Sequence, residues 1–191
     1  MVLRQLPHLL TLSRFAASPI LTILLVRSRF REALAVGLLA GVTDWLDGFL
    51  ARKLAVSSKL GVILDPAADK TLLVTLFLTL GYVGLMPRWI VSLVIGRDVV
   101  IVIGALLLRL ARNVRKFLPS PLGKVSTFFQ ITLVLLTLLE ISFKNETLFW
   151  LRTAGFFSCA LFTIASGVDY VRRGVLMARR CAAVPQRKRN H

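Results

Sequence analysis

Residues 44–69 read DWLDGFLARKLAVSSKLGVILDPAAD and lie between two apolar runs, residues 33–42 and 72–80. Four of the nine acidic residues in the chain fall in this stretch: Asp44, Asp47, Asp65 and Asp69. An isolated carboxylate at the centre of a membrane-spanning helix costs ~2.5–3.5 kcal/mol on insertion scales. Four carboxylates in such surroundings require a compensating partner such as bound metal cations. We therefore interpret residues 44–69 as an active site.

The composition is that of a polytopic membrane protein. Of 191 residues, 56% are hydrophobic and 18% are charged, and the mean hydropathy is +0.75. The formal net charge is +16. Because the basic residues fall between the apolar runs and near residue 191, they indicate contact with membrane lipid headgroups or phosphorylated substrates, and no nucleic acid partner is expected.

The apolar runs predict an all-α integral membrane protein with six transmembrane helices, preceded by a short interfacial amphipathic helix. We expect three segments: an interfacial helix over residues 1–13, a transmembrane catalytic domain over 14–171 and a disordered basic tail over 172–191. The six spans are predicted at residues 14–26, 31–54, 61–85, 89–108, 124–143 and 148–171.

The basic residues also predict the orientation of these spans. Of the 25 Lys and Arg residues, 17 lie on the side that holds both termini and 6 on the opposite side, while Lys70 and Arg97 lie within predicted spans. The positive-inside rule then places the termini in the cytoplasm. The acidic cluster lies at the end of the second span and the start of the third, so it faces the cytoplasm as well. We expect the membrane to be a bacterial inner (plasma) membrane.

The spacing of the four aspartates places each pair on one face of its helix, at i,i+3 for Asp44 and Asp47 and at i,i+4 for Asp65 and Asp69. Oxygen ligands without His or Cys suit Mg²⁺, Mn²⁺ or Ca²⁺. Two such cations neutralise a pyrophosphate and promote its cleavage. A purely structural ion network is the alternative.

Small residues near the cluster let a bulky ligand approach the backbone, although helix packing alone also explains them. They are Gly48, Ala51 and Gly61, and Arg52 adds a cation for phosphate.

These residues also carry a family resemblance. The pattern Asp-x-x-Asp-Gly-x-x-Ala-Arg, eight residues, then Gly-x-x-x-Asp-x-x-x-Asp resembles the complete signature of the CDP-alcohol phosphatidyltransferases. Every fixed position of that signature is present between Asp44 and Asp69. The resemblance implies that an alcohol hydroxyl displaces CMP from CDP-diacylglycerol in a homodimeric enzyme that uses two divalent cations, Mg²⁺ or Mn²⁺.

The resemblance also implies roles for individual residues. The four aspartates hold the metals, and Asp69 is the general base for the attacking hydroxyl. Gly48, Ala51, Arg52 and Gly61 line the CDP pocket. Residues 7–14 resemble the family's N-terminal Pro-Asn-x-x-Thr-x-x-Arg element, which adds Thr11 to the nucleotide contacts; His8 replaces the usual Asn.

The chain resembles two branches of the family, the phosphatidylglycerophosphate synthases and the cardiolipin synthases, and this resemblance implies a glycerol-type alcohol as the acceptor. Gly123-Lys124 is similar to the first branch, since cardiolipin synthases tend to have Ser-Lys there. Arg97-Asp98 without a second Arg at Ala105 is similar to the second. We place glycerol 3-phosphate first and phosphatidylglycerol second, and another CDP-alcohol phosphatidyltransferase activity is a further alternative.

The predicted acceptor-binding residues are Arg97, Arg109, Lys124 and Thr127. Lys124, Thr127 and Gln130 are spaced to share one helix face. An ion pair of Arg97 with Asp98 that only orients the fourth span is the structural alternative.

Two alternatives remain from other classes. A cation transporter would use the acidic cluster as its ion path, but the polar residues concentrate at one end of the predicted spans rather than running through both leaflets. A catalytically inactive homologue would be expected to have lost a motif carboxylate, and all four are present.

Overall fold

The computed structural model describes the backbone of residues 6–54, 61–112 and 121–183, and the side chains of residues 16–43, 70–107 and 121–177. Over these ranges the chain is helical, with short turns and no strand, which confirms the predicted all-α fold. The six helices are α1 (Leu6–Val26), α2 (Phe30–Leu54), α3 (Gly61–Tyr82), α4 (Arg88–Arg112), α5 (Pro121–Phe143) and α6 (Glu146–Ala183).

Most helix ends lie close to the predicted span ends, and two differ substantially. Helix α1 begins at Leu6 and continues through Pro19 without a break, so no helix end separates the predicted interfacial segment from the predicted first span. Helix α6 continues past residue 171 to Ala183, so the expected disorder is wrong for residues 172–183. The residues there include several good helix formers, and an i,i+4 ion pair of Arg173 with Asp169, at 2.9 Å, supports the helix.

Short turns join two pairs of helices. Between α1 and α2, Ser28 takes a positive φ of 57°, and the amide of Arg29 donates a hydrogen bond to the carbonyl of Leu24 at 2.9 Å. Between α5 and α6, the side chain of Asn145 accepts a hydrogen bond from the amide of Thr147 at 2.8 Å and so caps the start of α6. The chain folds back at both connections, since α1 packs against α2 and the rings of Phe129 in α5 and Phe162 in α6 are in contact.

The chain divides into two compact units. The first comprises residues 1–88 and 134–152, and in it α1 packs against both α2 and α3. Its core includes Leu21 and Leu25 of α1 with Phe77 and Leu80 of α3. In the same unit, Arg152 donates a hydrogen bond to Glu140 at 3.0 Å and joins the end of α5 to the start of α6.

The second unit comprises residues 89–133 and 153–191. Helices α4, α5 and α6 contribute apolar core residues, and the rings of Phe129 and Phe162 stack at 4.3 Å between α5 and α6. Polar side chains are also fully buried here, among them Ser126, Thr163 and Ser166.

Three helices within the described residues are long and apolar enough to cross a membrane: Arg88–Leu107, Pro121–Phe143 and Glu146–Met177. Two shorter apolar helices cover Ala16–Val26 and Lys70–Tyr82. Large apolar side chains such as Ile103 on α4 and Phe157 on α6 are exposed along these helices, as expected for surfaces that contact lipid tails. The chain is a membrane protein.

Candidate functional site

The predicted metal ligands occupy helical backbone. Asp44 and Asp47 lie in α2, and Asp65 and Asp69 lie in the first turns of α3, so the i,i+3 and i,i+4 spacings do fall on helices. Both helices pack against the same neighbour, since α1 contacts α2 and α3. The side chains of these four residues lie outside the described part of the chain.

The residues predicted to contact the nucleotide are likewise described only in their backbone. Their backbone lies in α1, α2 and α3, and their side chains fall outside the described residues: Thr11, Gly48, Ala51, Arg52 and Gly61. The same applies to Arg109 near the end of α4. Within the side chains that the structure describes, no three His, Cys, Asp or Glu residues come close enough together to hold a metal ion.

Arg97 is the predicted site residue that the structure describes best. It lies in the middle of α4, and its side chain is 6% exposed. One terminal nitrogen, Nη1, donates a hydrogen bond to Oδ1 of Asp98 at 2.7 Å. Neighbouring residues on a helix do not normally face each other, so the long Arg97 side chain has to bend towards the carboxylate. The bend is held by a second contact from another helix.

That second contact comes from α6. The other terminal nitrogen of Arg97, Nη2, donates a hydrogen bond to the hydroxyl of Ser166 at 2.6 Å. The guanidinium also lies 5.8 Å from the ring centre of Tyr170, within the range of a cation–π interaction. A carboxylate, a hydroxyl and an aromatic ring therefore surround the cation, and two of the three belong to α6.

Two glycines provide the space for this side chain. A Cβ atom at Gly123 of α5 would lie 3.3 Å from Nη2 of Arg97 and 3.5 Å from Cε2 of Tyr170. A Cβ atom at Gly167 of α6 would lie 3.7 Å from Cγ of Arg97, an ordinary contact distance. The guanidinium is thus tightly enclosed on the α5 side, where any side chain at residue 123 would press on it.

The enclosure leaves one donor of Arg97 without a partner. Nε is buried, and no hydrogen-bond acceptor for it is found among the described residues. An unpaired buried donor costs about 1–3 kcal/mol. A guanidinium has five N–H donors, and it binds carboxylates and phosphates through pairs of them.

The other two described acceptor residues lie on α5 and differ in exposure. Lys124 is exposed, and Thr127 is half-buried with its hydroxyl donating to the carbonyl of Gly123 at 3.1 Å. Gln130, on the face predicted to include both, is 2% exposed and lies against Thr163 of α6. Arg97 therefore contacts the glycine that precedes Lys124, whereas the Lys124 side chain lies on the surface.

A buried polar cluster continues along α5 and α6 from the Arg97 site. The hydroxyls of Ser126 and Thr163 lie 3.3 Å apart, and Nε2 of Gln130 lies 3.4 Å from the first and 3.5 Å from the second. Ser126 follows Gly123 by one helical turn, and Thr163 precedes Ser166 by one. Polar contacts between α5 and α6 therefore continue from the Arg97 site along the apolar part of both helices.

An open groove of about 710 Å³ lies beside this site, between α4 and α6. Its walls are mostly apolar or small, and its two cationic residues are Arg97 and Arg172. Gly96 and Gly167 contribute to opposite walls. The groove thus brings an apolar, lipid-compatible surface next to the buried arginine.

Ser166 and Tyr170 are absent from the residues that the sequence singled out. Their only signal is compositional, since polar residues within an apolar span usually face other helices and mark sites of function. The sequence contains several such residues, and only the packing of α6 against α4 distinguishes these two.

Comparison with known proteins agrees with the motif. Residues 4–166 match the family model described as CDP-alcohol phosphatidyltransferase. The CDP-diacylglycerol--glycerol-3-phosphate 3-phosphatidyltransferase of Aquifex aeolicus is 34% identical over 180 residues, which cover 91% of this chain and 97% of that protein.

Two eukaryotic relatives are longer. The chloroplastic CDP-diacylglycerol--glycerol-3-phosphate 3-phosphatidyltransferase 1 of Oryza sativa subsp. japonica is 34% identical over 87% of this chain and 56% of its own length. The cardiolipin synthase (CMP-forming) of Homo sapiens is 33% identical over 88% of this chain and 61% of its own length. The chain thus spans a little over half of these two proteins and nearly all of the Aquifex protein.

Proposed function

The chain belongs to the CDP-alcohol phosphatidyltransferase family, and we propose that it transfers a phosphatidyl group from CDP-diacylglycerol to glycerol 3-phosphate with release of CMP. Membership makes it a transferase of phospholipid biosynthesis. The donor half of the reaction follows from the complete motif between Asp44 and Asp69. The acceptor half rests on Arg97.

The observation that carries the acceptor proposal is the state of the Arg97 guanidinium. It is buried, held at both terminal nitrogens and unpaired at Nε within the described residues. A buried cation with a free donor suits an anionic oxygen ligand. Glycerol 3-phosphate supplies a phosphate as well as the attacking hydroxyl, so Arg97 fixes one end of the acceptor while the other end reacts.

Gly123 favours this acceptor over phosphatidylglycerol. The chain resembles the glycerophosphate enzymes at Gly123-Lys124, and a side chain at residue 123 would contact Nη2 of Arg97 at 3.3 Å. We propose that Arg109, Lys124 and Thr127 complete the acceptor site, with Lys124 attracting the phosphate from the surface.

The proposed metal site has the donor set that a pair of hard cations requires. Asp44, Asp47, Asp65 and Asp69 supply carboxylate oxygens from two helices that pack on the same neighbour, α1. Mg²⁺ or Mn²⁺ ions bound there would neutralise the charge of the CDP pyrophosphate. The nucleotide would be held by Thr11, Gly48, Ala51, Arg52 and Gly61.

The chemical step is a single displacement at phosphorus. The acceptor hydroxyl oxygen bonds to the phosphorus of the phosphatidyl group, the bond from that phosphorus to the oxygen of CMP breaks, and CMP leaves with the electron pair. Asp69 accepts the hydroxyl proton. A dication held by the four aspartates would lower the basicity of Asp69, which would then share the proton in the transition state rather than take it up completely.

We further propose the membrane arrangement predicted from the sequence. It has six spans within residues 14–171, an interfacial segment over residues 1–13, a cytoplasmic basic segment from residue 172 and a homodimeric assembly. The active site then opens to the cytoplasm of a bacterial inner membrane, where the soluble substrate and CMP exchange. The bacterial relative of matching length supports this location.

A second candidate is cardiolipin synthesis with phosphatidylglycerol as acceptor. It is favoured by the 33% identity to the human cardiolipin synthase and by the Arg97-Asp98 pair without a second arginine at Ala105. The phosphate of phosphatidylglycerol would then occupy the same guanidinium.

The test is an assay of CMP release by the purified chain in detergent with CDP-diacylglycerol and Mg²⁺ or Mn²⁺. We expect release with glycerol 3-phosphate and none with Asp69→Asn. Release with phosphatidylglycerol alone would select the second candidate. Failure with glycerol 3-phosphate, phosphatidylglycerol, inositol phosphate and serine would reject the reaction.

A further inference from the structure

Among the described contacts of the Arg97 guanidinium, one comes from its own helix α4, through Asp98, and two come from α6, through Ser166 and Tyr170. Ser166 of α6 is 0% exposed and accepts a hydrogen bond from Nη2 at 2.6 Å. This is the shortest described contact of the guanidinium. The position of the cation therefore depends on the register of α6 against α4.

The space around the cation depends on α5. At Gly123 a Cβ atom would lie 3.3 Å from Nη2, 3.5 Å from Cε2 of Tyr170 and 3.9 Å from the hydroxyl of Ser166. A Cβ atom at residue 123 would therefore contact the guanidinium and both of the α6 side chains that hold it, Ser166 and Tyr170. A methyl group there would push on the contact that Ser166 makes.

We infer that Ser166 and Gly123 are positioning residues for the acceptor phosphate: Ser166 anchors the Arg97 guanidinium and Gly123 leaves it the space to stay anchored. The inference rests on the proposed function. Neither residue needs to touch the substrate, because the bond from Nη2 to Ser166 sets the plane of the guanidinium and hence the direction of its Nε–H.

The physical basis is preorganisation. A free arginine side chain loses conformational entropy when it becomes fixed. When the protein has already fixed it, the acceptor binds without that cost. The donor lipid gains nothing from this arrangement, so Ser166 and Gly123 should affect one substrate and not the other.

Two variants test the inference in the full-length protein in detergent. For Ser166→Ala we expect a rise of about tenfold in the KM for glycerol 3-phosphate, equivalent to ~1.4 kcal/mol. For Gly123→Ala we expect a rise in the same KM of about threefold to tenfold, since the guanidinium must shift by a few tenths of an ångström. In both variants the KM for CDP-diacylglycerol should stay within about twofold of the wild-type value, because only one substrate uses the preset cation.

Matched controls lie on the same unit of the chain. Ser158 of α6 is half-buried, and among described contacts its hydroxyl donates only to the carbonyl of Ala154 in its own helix, at 3.0 Å. A Cβ atom at Gly104 of α4 would have no neighbour within 4 Å among the described residues. Ser158→Ala and Gly104→Ala should leave both KM values unchanged.

The readouts separate this inference from a merely structural role. A general loosening of the bundle would raise the KM for both substrates or lower the thermal midpoint in parallel with activity, and either result would overturn the inference. An unchanged KM for glycerol 3-phosphate in both variants would also overturn it. If the wild-type protein releases no CMP with glycerol 3-phosphate, the proposed function itself fails, and the inference fails with it.

Discussion

Replacing Arg97 by methionine separates the two roles that a buried arginine beside an aspartate can have. In one role Arg97 only neutralises Asp98 and orients α4; in the other it binds the acceptor. Both predict that Arg97→Met is harmful. The difference appears when the charge that the variant leaves behind is also removed, in Arg97→Met/Asp98→Asn.

The stability effect follows from burial. The side chain of Asp98 is 12% exposed, and the guanidinium lies 2.7 Å from its Oδ1. Removing one partner of a buried ion pair typically costs about 3–5 kcal/mol, because the other charge stays buried and uncompensated. We expect this loss in Arg97→Met, measured by unfolding in mixed detergent micelles with increasing dodecyl sulfate. The double variant should recover most of it, since the amide that replaces the Asp98 carboxylate is neutral.

The catalytic effect should not recover. A hydrogen bond to a charged group contributes about 1.5–3 kcal/mol, so losing the contact with the acceptor phosphate should raise the KM for glycerol 3-phosphate about 10- to 150-fold. We expect this rise in both the single and the double variant, with CMP release as the assay. If the double variant regains wild-type stability together with the wild-type KM, Arg97 serves only to orient α4 and the acceptor proposal is wrong.

Three further predictions concern other parts of the chain. Chelation with EDTA should abolish CMP release and added Mg²⁺ or Mn²⁺ should restore it, whereas Asp65→Asn should stay inactive at any metal concentration; full activity in EDTA would contradict the metal proposal. Arg152→Gln should lower the free energy of unfolding by about 1–3 kcal/mol, because the side chain of its partner Glu140 is only 18% exposed. Arg29→Gln should change the free energy of unfolding by less than about 0.5 kcal/mol, because the side chains of Arg29 and its partner Glu32 are both more than half exposed. Gln130→Leu should change the free energy of unfolding by less than about 1 kcal/mol, because the Gln130 amide contacts the hydroxyls of Ser126 and Thr163 only at 3.4 and 3.5 Å. Those two hydroxyls still contact each other in the variant. A loss above about 2 kcal/mol would show that the three side chains stabilise the protein as a unit.

The sequence predicted the fold class and most helix ends because charged residues and glycines interrupt the apolar runs. Helix α1 ends at Val26 and α5 ends at Phe143, both as predicted. The start of α1 and the end of α6 were not predicted. Those segments are helical without being apolar throughout, so hydropathy does not mark them. Where α6 continues past the predicted span, an ion pair of Arg173 with Asp169 supports the helix.

The count of six spans remains a prediction. Among the described residues, three helices are long and apolar enough to cross a membrane. The acidic motif lies in α2 and the first turns of α3, where the structure does not describe the side chains. The family assignment, by contrast, confirms the predicted resemblance to the CDP-alcohol phosphatidyltransferases and favours a transferase over a transporter.

The candidate acceptor site could be predicted only in part. Arg97 was recognisable because a charged pair inside an apolar span is rare and usually functional. Ser166 and Tyr170 were not, because an isolated polar residue on a long helix gains its role from the helix it faces. The role of Lys124 in binding the acceptor together with Arg97 stays a prediction. The structure places the Lys124 side chain on the surface and the preceding Gly123 against the guanidinium.

The most direct test of the proposed reaction is lipid mass spectrometry of a bacterial strain that cannot make phosphatidylglycerol and that expresses this chain. The account predicts that phosphatidylglycerol reappears and that the Asp69→Asn variant, expressed to the same level, fails to restore it. Continued absence of phosphatidylglycerol, with cardiolipin formed only when phosphatidylglycerol is supplied, would contradict glycerol 3-phosphate as the acceptor.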